Sequence, residues 1–253
     1  MKEVKEVLHE TAHHFDSAEQ EFDACKTGMW IFLVTEIMLF GGLFVGYTVF
    51  RNWNPELWKL ASEYILDWKL GALNTLVLII SSWTMVMGVY SAQTSNLKAL
   101  KRYLLLTILL AGAFMVVKGF EYTAKFDHHA FPVAADYSES KTLVIERGFT
   151  LHSDQETDPV KRAELKKIED IFNKDTQGNT KNLNVFMGFY FTMTGIHGFH
   201  ILIGMGLLAW LYVRACRGEF HKQYFTPIEM VGLYWHIVDL IWIFLFPLFY
   251  LVG

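Results

Sequence analysis

Two imidazoles, His197 and His200, stand one helical turn apart within the stretch MGFYFTMTGIHGFHILIGM, Met187 to Met205. A second pair at the same spacing, His236 and Asp239, lies in YWHIVDLIW. Imidazole and carboxylate at i and i+3 can share a metal ion, carry protons, or tie helices together by hydrogen bonds. Glu36, in TEIMLFGGLF, is the sharpest single signal, and Lys118 with Glu121 places a cation and an anion on one turn. Against a metal site, the chain has no HExxH or ExxH sequence around these residues, and the runs that carry them are filled with glycine and aromatic side chains. Neither a metal site nor a catalytic residue is expected on this chain, and hydrogen bonding between helices is the simpler reading of the histidines.

The setting gives these residues their weight. The run Leu183 to Val213 contains no Asp, Glu, Lys or Arg. A helix rises about 1.5 Å per residue and the hydrocarbon core is about 30 Å thick, so about 20 apolar residues cross it. Other runs without Lys or Arg cover 29–50, 70–97, 103–117 and 223–253. The reading is an all-α membrane protein, a bundle of five spans at about 29–50, 70–91, 103–122, 183–212 and 231–252. An N-terminal segment, 1–28, precedes the membrane domain, 29–253, and a long polar insert, 123–182, separates the third and fourth spans.

Polar groups inside a bilayer turn toward protein rather than acyl chains. Glu36 must therefore be paired or carry a proton. It is either a proton-linked or partner-facing site, or a hydrogen bond that holds helices together. Lys118 and Glu121 read as a structural ion pair. From the rise per residue, Glu36 lies roughly 10 Å into the first span, and His236 and Asp239 roughly 8 and 12 Å into the fifth. His200 and His197 lie roughly 12 to 24 Å from the same side in the fourth, so these groups form a shared polar zone. Gly42 and Gly46 give the first span a small-residue face that permits close helix approach. Asn74 and Ser81 are the polar residues of the second span expected to face other helices, and Phe186, Phe189, Tyr190 and Phe191 are packing or lipid-facing aromatics.

The rest of the chain sets limits. The formal charge is −4, and no basic cluster with interleaved aromatics appears, so a nucleic-acid partner is not expected. The opening MKEVKEVLHETAHHFD is acidic and lacks a long apolar stretch, which leaves the first span to act as an uncleaved insertion signal. Residues 1–28 hold a short surface helix by spacing. Cys25 and Cys216 have no neighbouring cysteine and read as two unpaired thiols. Arg51 to Trp68 is a Trp-rich link suited to the interface. In the insert, Asp158-Pro159 opens VKRAELKKIEDIF, a helix start with an N-cap residue and proline at the first position. Lys and Arg in the short links place the N-terminus in the cytoplasm, and hence the insert and C-terminus outside.

These residues resemble subunit III of the haem-copper oxidases. GMWIFLVTEIMLFGGLF is similar to that family's glutamate-bearing helix, with Glu36 on its membrane glutamate, and LNTLVLIISSWTM resembles the next helix. KGFEYTAKF follows, with Glu121 and Tyr122 on the family's Glu-Tyr pair. TGIHGFH matches Thr-Gly-x-His-Gly-x-His, and YWHIVDLIWIFLF matches Tyr-Trp-His-x-Val-Asp-x-x-Trp. The resemblance implies the five-helix bacterial form, multi-pass in the plasma membrane. It further implies a chain without haem or copper of its own, bound to the catalytic subunit I of a respiratory cytochrome c oxidase that carries them and couples oxygen reduction to proton translocation.

In that family, subunit III supports proton uptake by the catalytic subunit and protects it from inactivation. The seven-helix form holds lipid in a cleft that needs two helices absent here. Arg214, Arg217 and His221 are the expected phospholipid headgroup contacts at the inner surface. The insert, placed outside, is expected to touch a cytochrome c domain or another respiratory complex. Within the same family, subunit III of a quinol oxidase and the accessory protein of nitric oxide reductase are alternatives. From other classes, the rivals are a stand-alone membrane metal enzyme using His197, His200, His236 and Asp239, and a proton-coupled transporter; no internal repeat supports the latter.

Overall fold

In the computed structural model, the structure describes residues 15–127, 159, 163, 166 and 182–252. The order of elements is α1 (Ala18–Trp53), α2 (Pro55–Ile65), α3 (Trp68–Gln93), α4 (Leu97–Asp127), α5 (Asn182–Arg217) and α6 (Thr226–Phe246), followed by a π turn, Pro247–Leu251. No strand occurs among the described residues, only an isolated bridge between His221 and Tyr224. Five helices are long and apolar enough to cross a membrane: Ala18–Trp53, Trp68–Gln93, Leu97–Thr123, Val185–Arg217 and Thr226–Leu251. The fold is all-α and multi-pass, as expected. An α-helix satisfies its own backbone polar groups, which hydrocarbon cannot do.

Local chemistry sets the breaks. Pro55 takes the first position of α2, where its missing N–H costs nothing. The residue before it, Asn54, leaves helical geometry at φ −141°. The Asp67 carboxylate accepts the Lys69 N–H (2.9 Å) at the start of α3, and Asn96 Oδ1 accepts the Ala99 N–H (3.2 Å) at the start of α4. α5 stops at Gly218, whose φ of +79° suits glycine. Pro247 has no N–H to give to the preceding turn, and the chain widens there into the π turn.

The helices differ from the expected spans at their ends. α1 starts at Ala18, so residues 18–28 are continuous with the first span, and the earlier part of the expected surface helix lies outside the described residues. The Trp-rich link is itself a helix, α2. Trp53 and Trp68 are exposed as an interfacial residue should be, whereas Trp58 is buried. The helix expected after Asp158 falls largely outside the described residues; Pro159, Ala163 and Lys166 are helical.

The chain divides into two compact units. The first comprises residues up to Leu39, Val77–Ala113 and Phe199–Leu240. In its interior Trp235 is fully buried and its indole N–H donates to Ser81 Oγ (2.8 Å). Gly204 makes room for that ring: a Cβ there would lie 2.7 Å from it. Thr84 and Thr107 share a hydroxyl hydrogen bond of 2.8 Å. The second unit comprises Phe40–Leu76, Phe114–Gly198 and Ile241 onward. Its centre is aromatic, with Tyr47, Trp58, Phe186, Tyr190 and Phe249 meeting edge to face. Here Gly46 permits a close approach of Phe189, while nothing crowds Gly42.

Candidate functional sites

The first unit holds two polar groupings. Glu36, on the α1 segment, meets His200 on the α5 segment, with Oε2 2.9 Å from Nε2. Both side chains are 14% exposed, and the α1 surface beside them is open and apolar, with Val34, Ile37 and Met38 exposed. The Tyr234 hydroxyl donates to the His200 carbonyl (2.9 Å), which seats this turn of α5 against α6. A carboxylate at this depth needs a partner, and the imidazole nitrogen lies at ion-pair distance from it.

The second grouping joins α3 and α6. Ser82 Oγ lies 2.8 Å from His236 Nδ1. Asp239 is buried, whereas His236 keeps part of its ring at the surface of the unit. The serine hydroxyl thus joins α3 to the His236 turn of α6, while the carboxyl oxygens of Asp239, one turn on, are buried without a hydrogen-bond partner among the described residues.

The second unit contains a larger cluster. Lys118 Nζ donates to Glu121 Oε2 (2.8 Å), to the Tyr250 hydroxyl (2.8 Å) and to the Tyr190 hydroxyl (3.3 Å). The two tyrosines in turn donate to Glu121 Oε1, at 2.7 Å from Tyr190 and 2.6 Å from Tyr250. The ammonium also lies 4.7 Å from the Trp242 ring centroid. Next to it, Tyr122 shares a hydrogen bond with Thr194. Four elements or their ends meet here, and each charged atom has several partners, as burial of an ion pair demands.

His197 belongs to this second unit. Its ring stacks on Trp242 (5.2 Å between centroids, 25° between planes) and takes the edge of Phe114. One turn of helix thus separates a packed histidine from an ion-paired one. Among the described residues, no three His, Cys, Asp or Glu side chains gather closely enough to hold a metal ion.

The chain matches the family model for cytochrome c oxidase subunit III over residues 1–133 and 177–253. It belongs to that family. The unmatched stretch, 134–176, lies inside the polar insert. Similar proteins include a cytochrome c oxidase subunit 3 of Thermostichus vulcanus, 26% identical over 96% of this chain and 94% of the relative. A probable quinol oxidase subunit 3 of Staphylococcus haemolyticus is 24% identical over 94% of each chain. A probable cytochrome c oxidase subunit 3 of Nocardia farcinica is 27% identical over 90% of this chain and 87% of the relative. Subunit III chains are parts of haem-copper oxidase complexes, so this chain is a subunit of such a complex and works with other oxidase subunits.

Within this subunit III fold, the structure brings together Glu36 with His200, His236 with Ser82, and Glu121 with Lys118. Within the second unit, His197 packs against Trp242 and Phe114. Of the expected headgroup contacts, Arg214 is engaged inside the chain: its Nε pairs with Glu219, and Nη2 donates to the Tyr224 hydroxyl (3.1 Å). The Arg217 side chain is 70% exposed, and His221 sits in the short turn that bridges to Tyr224. Tyr190 and Tyr250 escaped the reading of the sequence as polar partners. The signal was a lysine and a glutamate inside a span, which together need more donors and acceptors than either supplies.

Proposed function

We propose that the chain is the non-catalytic subunit III of a bacterial cytochrome c oxidase, seated against subunit I. It stabilises that subunit and supports its proton uptake. The haem and copper belong to the partner subunits, and the chain binds phospholipid, with Arg214, Arg217 and His221 as headgroup contacts. The chain lies in the plasma membrane with its N-terminus in the cytoplasm and its insert outside, in reach of a cytochrome c domain or another respiratory complex.

The observation that carries the mechanistic part is the contact between Glu36 and His200. It ties α1 to α5 within a span, on an open apolar surface, where an unpaired carboxylate would be costly. Loss of the contact loosens α1. A loosened first span no longer braces the catalytic subunit, and the proton supply to that subunit slows.

The experiment is affinity purification of the tagged chain from its native membranes, with an absorption spectrum and an oxygen-consumption assay on the product. The expected result is a complex with haem absorbance that oxidises reduced cytochrome c. A complex without haem overturns the proposal. A haem complex that oxidises only quinol supports a second reading, which the similarity to the Staphylococcus chains favours: subunit III of a quinol oxidase.

A further inference from the structure

The cluster around Lys118 also has the residue types of a one-electron redox site. Tyrosine and tryptophan are among the side chains most easily oxidised by one electron. A phenol gives up that electron far more easily when a base within hydrogen-bond reach takes its proton. Two phenols here share one such base: Tyr190 and Tyr250 donate to Glu121 Oε1 at 2.7 and 2.6 Å. Their hydroxyls lie 3.4 Å apart. Both rings are buried in the second unit, so a radical on either is shielded from the surroundings. Tyr122 is partly exposed, and its ring centroid lies 6.4 Å from that of Tyr190, which carries the aromatic contact outward.

Two neighbours in the same unit are placed differently. Tyr47 is fully buried, but its hydroxyl donates to the Leu248 carbonyl (3.0 Å), which cannot keep a proton. The Trp242 ring centroid lies 4.7 Å from the Lys118 ammonium. Charge repulsion in a low-dielectric interior disfavours an indole radical cation there. A tyrosyl radical that has passed its proton to Glu121 is neutral and escapes most of that repulsion. The ammonium still leaves the oxidised cluster with a net positive charge, so only a strong oxidant drives the step.

We infer that Tyr190, Tyr250 and Glu121 form a proton-coupled redox site that quenches strongly oxidising aromatic radical cations, the species left when partly reduced oxygen attacks protein. One electron passes from a phenol to the radical cation, which returns to a neutral, closed-shell ring. The phenol O–H bond breaks, and its proton forms an O–H bond on Glu121 Oε1. A neutral tyrosyl radical, a neutral carboxylic acid and an unchanged Lys118 ammonium remain. A ferrous haem then gives one electron and becomes ferric, and Glu121 returns the proton to the phenolate. No side chain has to move and the proton stays inside the cluster, so the helices are held throughout. The inference concerns this chain's own residues and stands whether the oxidase is fed by cytochrome c or by quinol.

The test uses the full chain in lipid nanodiscs, where no partner haem adds to the spectrum. Photo-oxidised ruthenium tris-bipyridine serves as the one-electron oxidant, and electron paramagnetic resonance of the frozen sample reads the radical. Ring-deuterated tyrosine should narrow the signal and so assign it to a tyrosyl radical. Tyr190→Phe and Tyr250→Phe each keep the ion pair and remove one of the two donors, so each should lower that signal by about half. Lys118→Met with Glu121→Gln keeps both phenols and removes the base, and the tyrosyl signal should fall about tenfold. Tyr47→Phe should leave it as it is. A parent chain without a tyrosyl signal, a signal unchanged in both single variants, or a full signal without the carboxylate overturns the inference. The single variants decide the matter even if the double variant does not fold, since the ion pair is intact in them.

Discussion

Two ionic groupings, one in each unit, solve one problem in opposite ways. Around Lys118 and Glu121 the pair is buried, and two tyrosine hydroxyls and an indole ring complete its surroundings. Around Glu36 and His200 there is one contact between carboxylate and imidazole, and both side chains remain partly open. In a membrane, the first arrangement is a structural clamp: it draws the π turn and α5 onto α4, and nothing in it is free to exchange. The second holds with little surplus. A group that must respond to a partner or to protons belongs in the second kind of site, and a group that must never move belongs in the first.

That contrast can be broken at its strong end. Lys118→Met leaves Glu121 buried opposite an apolar side chain, and we expect a loss of about 3–5 kcal/mol, as when one member of a buried pair is removed. Thermal inactivation of the detergent-solubilised complex would show it as a large drop in midpoint. The double replacement Lys118→Met with Glu121→Gln should recover more than half of that loss. A double variant as unstable as the single one would mean that the pair itself, not the stranded charge, stabilises the fold.

Packing near the weaker grouping gives the next effect. Gly204→Ala places a methyl against the fully buried Trp235 ring in the same helix as His200. A cost of about 1–3 kcal/mol is expected from overpacking, visible in the same inactivation assay. Tyr250→Phe removes one donor from the clamp and should cost about 1–2 kcal/mol, less than the loss of the lysine because Tyr190 still donates to Glu121. The smallest stability effect belongs to Glu36→Gln, about 1 kcal/mol or less, since an amide can still meet His200. Its consequence lies in function instead.

The sequence made the spans legible because an apolar run long enough to cross a bilayer has few other uses. It also exposed Glu36, the two histidine turns and Lys118 with Glu121, since charged and imidazole side chains are conspicuous in such runs. Their partners were harder to read. His197 and His200 share a spacing that suggests a common task, yet the helix carries one toward Trp242 and Phe114 and the other toward Glu36. Which neighbour a given turn meets depends on crossing geometry between segments far apart in the chain, and a single sequence does not encode that in any local pattern. Tyr250 was hidden for a related reason. It follows Pro247, and the wide turn that aims it at Lys118 begins where helical periodicity stops being a guide. Arg214, read from the sequence as a headgroup contact, also pairs within the chain with Glu219, past the Gly218 turn, a partner no spacing rule announces.

The measurement that bears most directly on the account is the endurance of the purified oxidase complex carrying Glu36→Gln, followed as proton uptake and as turnovers completed before activity is lost. With parent-like assembly and haem content, the variant complex should take up protons more slowly and stop after fewer turnovers, moving toward the behaviour of the complex stripped of this chain. A Glu36→Gln complex that assembles normally, takes up protons at the parent rate and lasts as long as the parent would contradict it, and would leave the contact with His200 as helix packing alone.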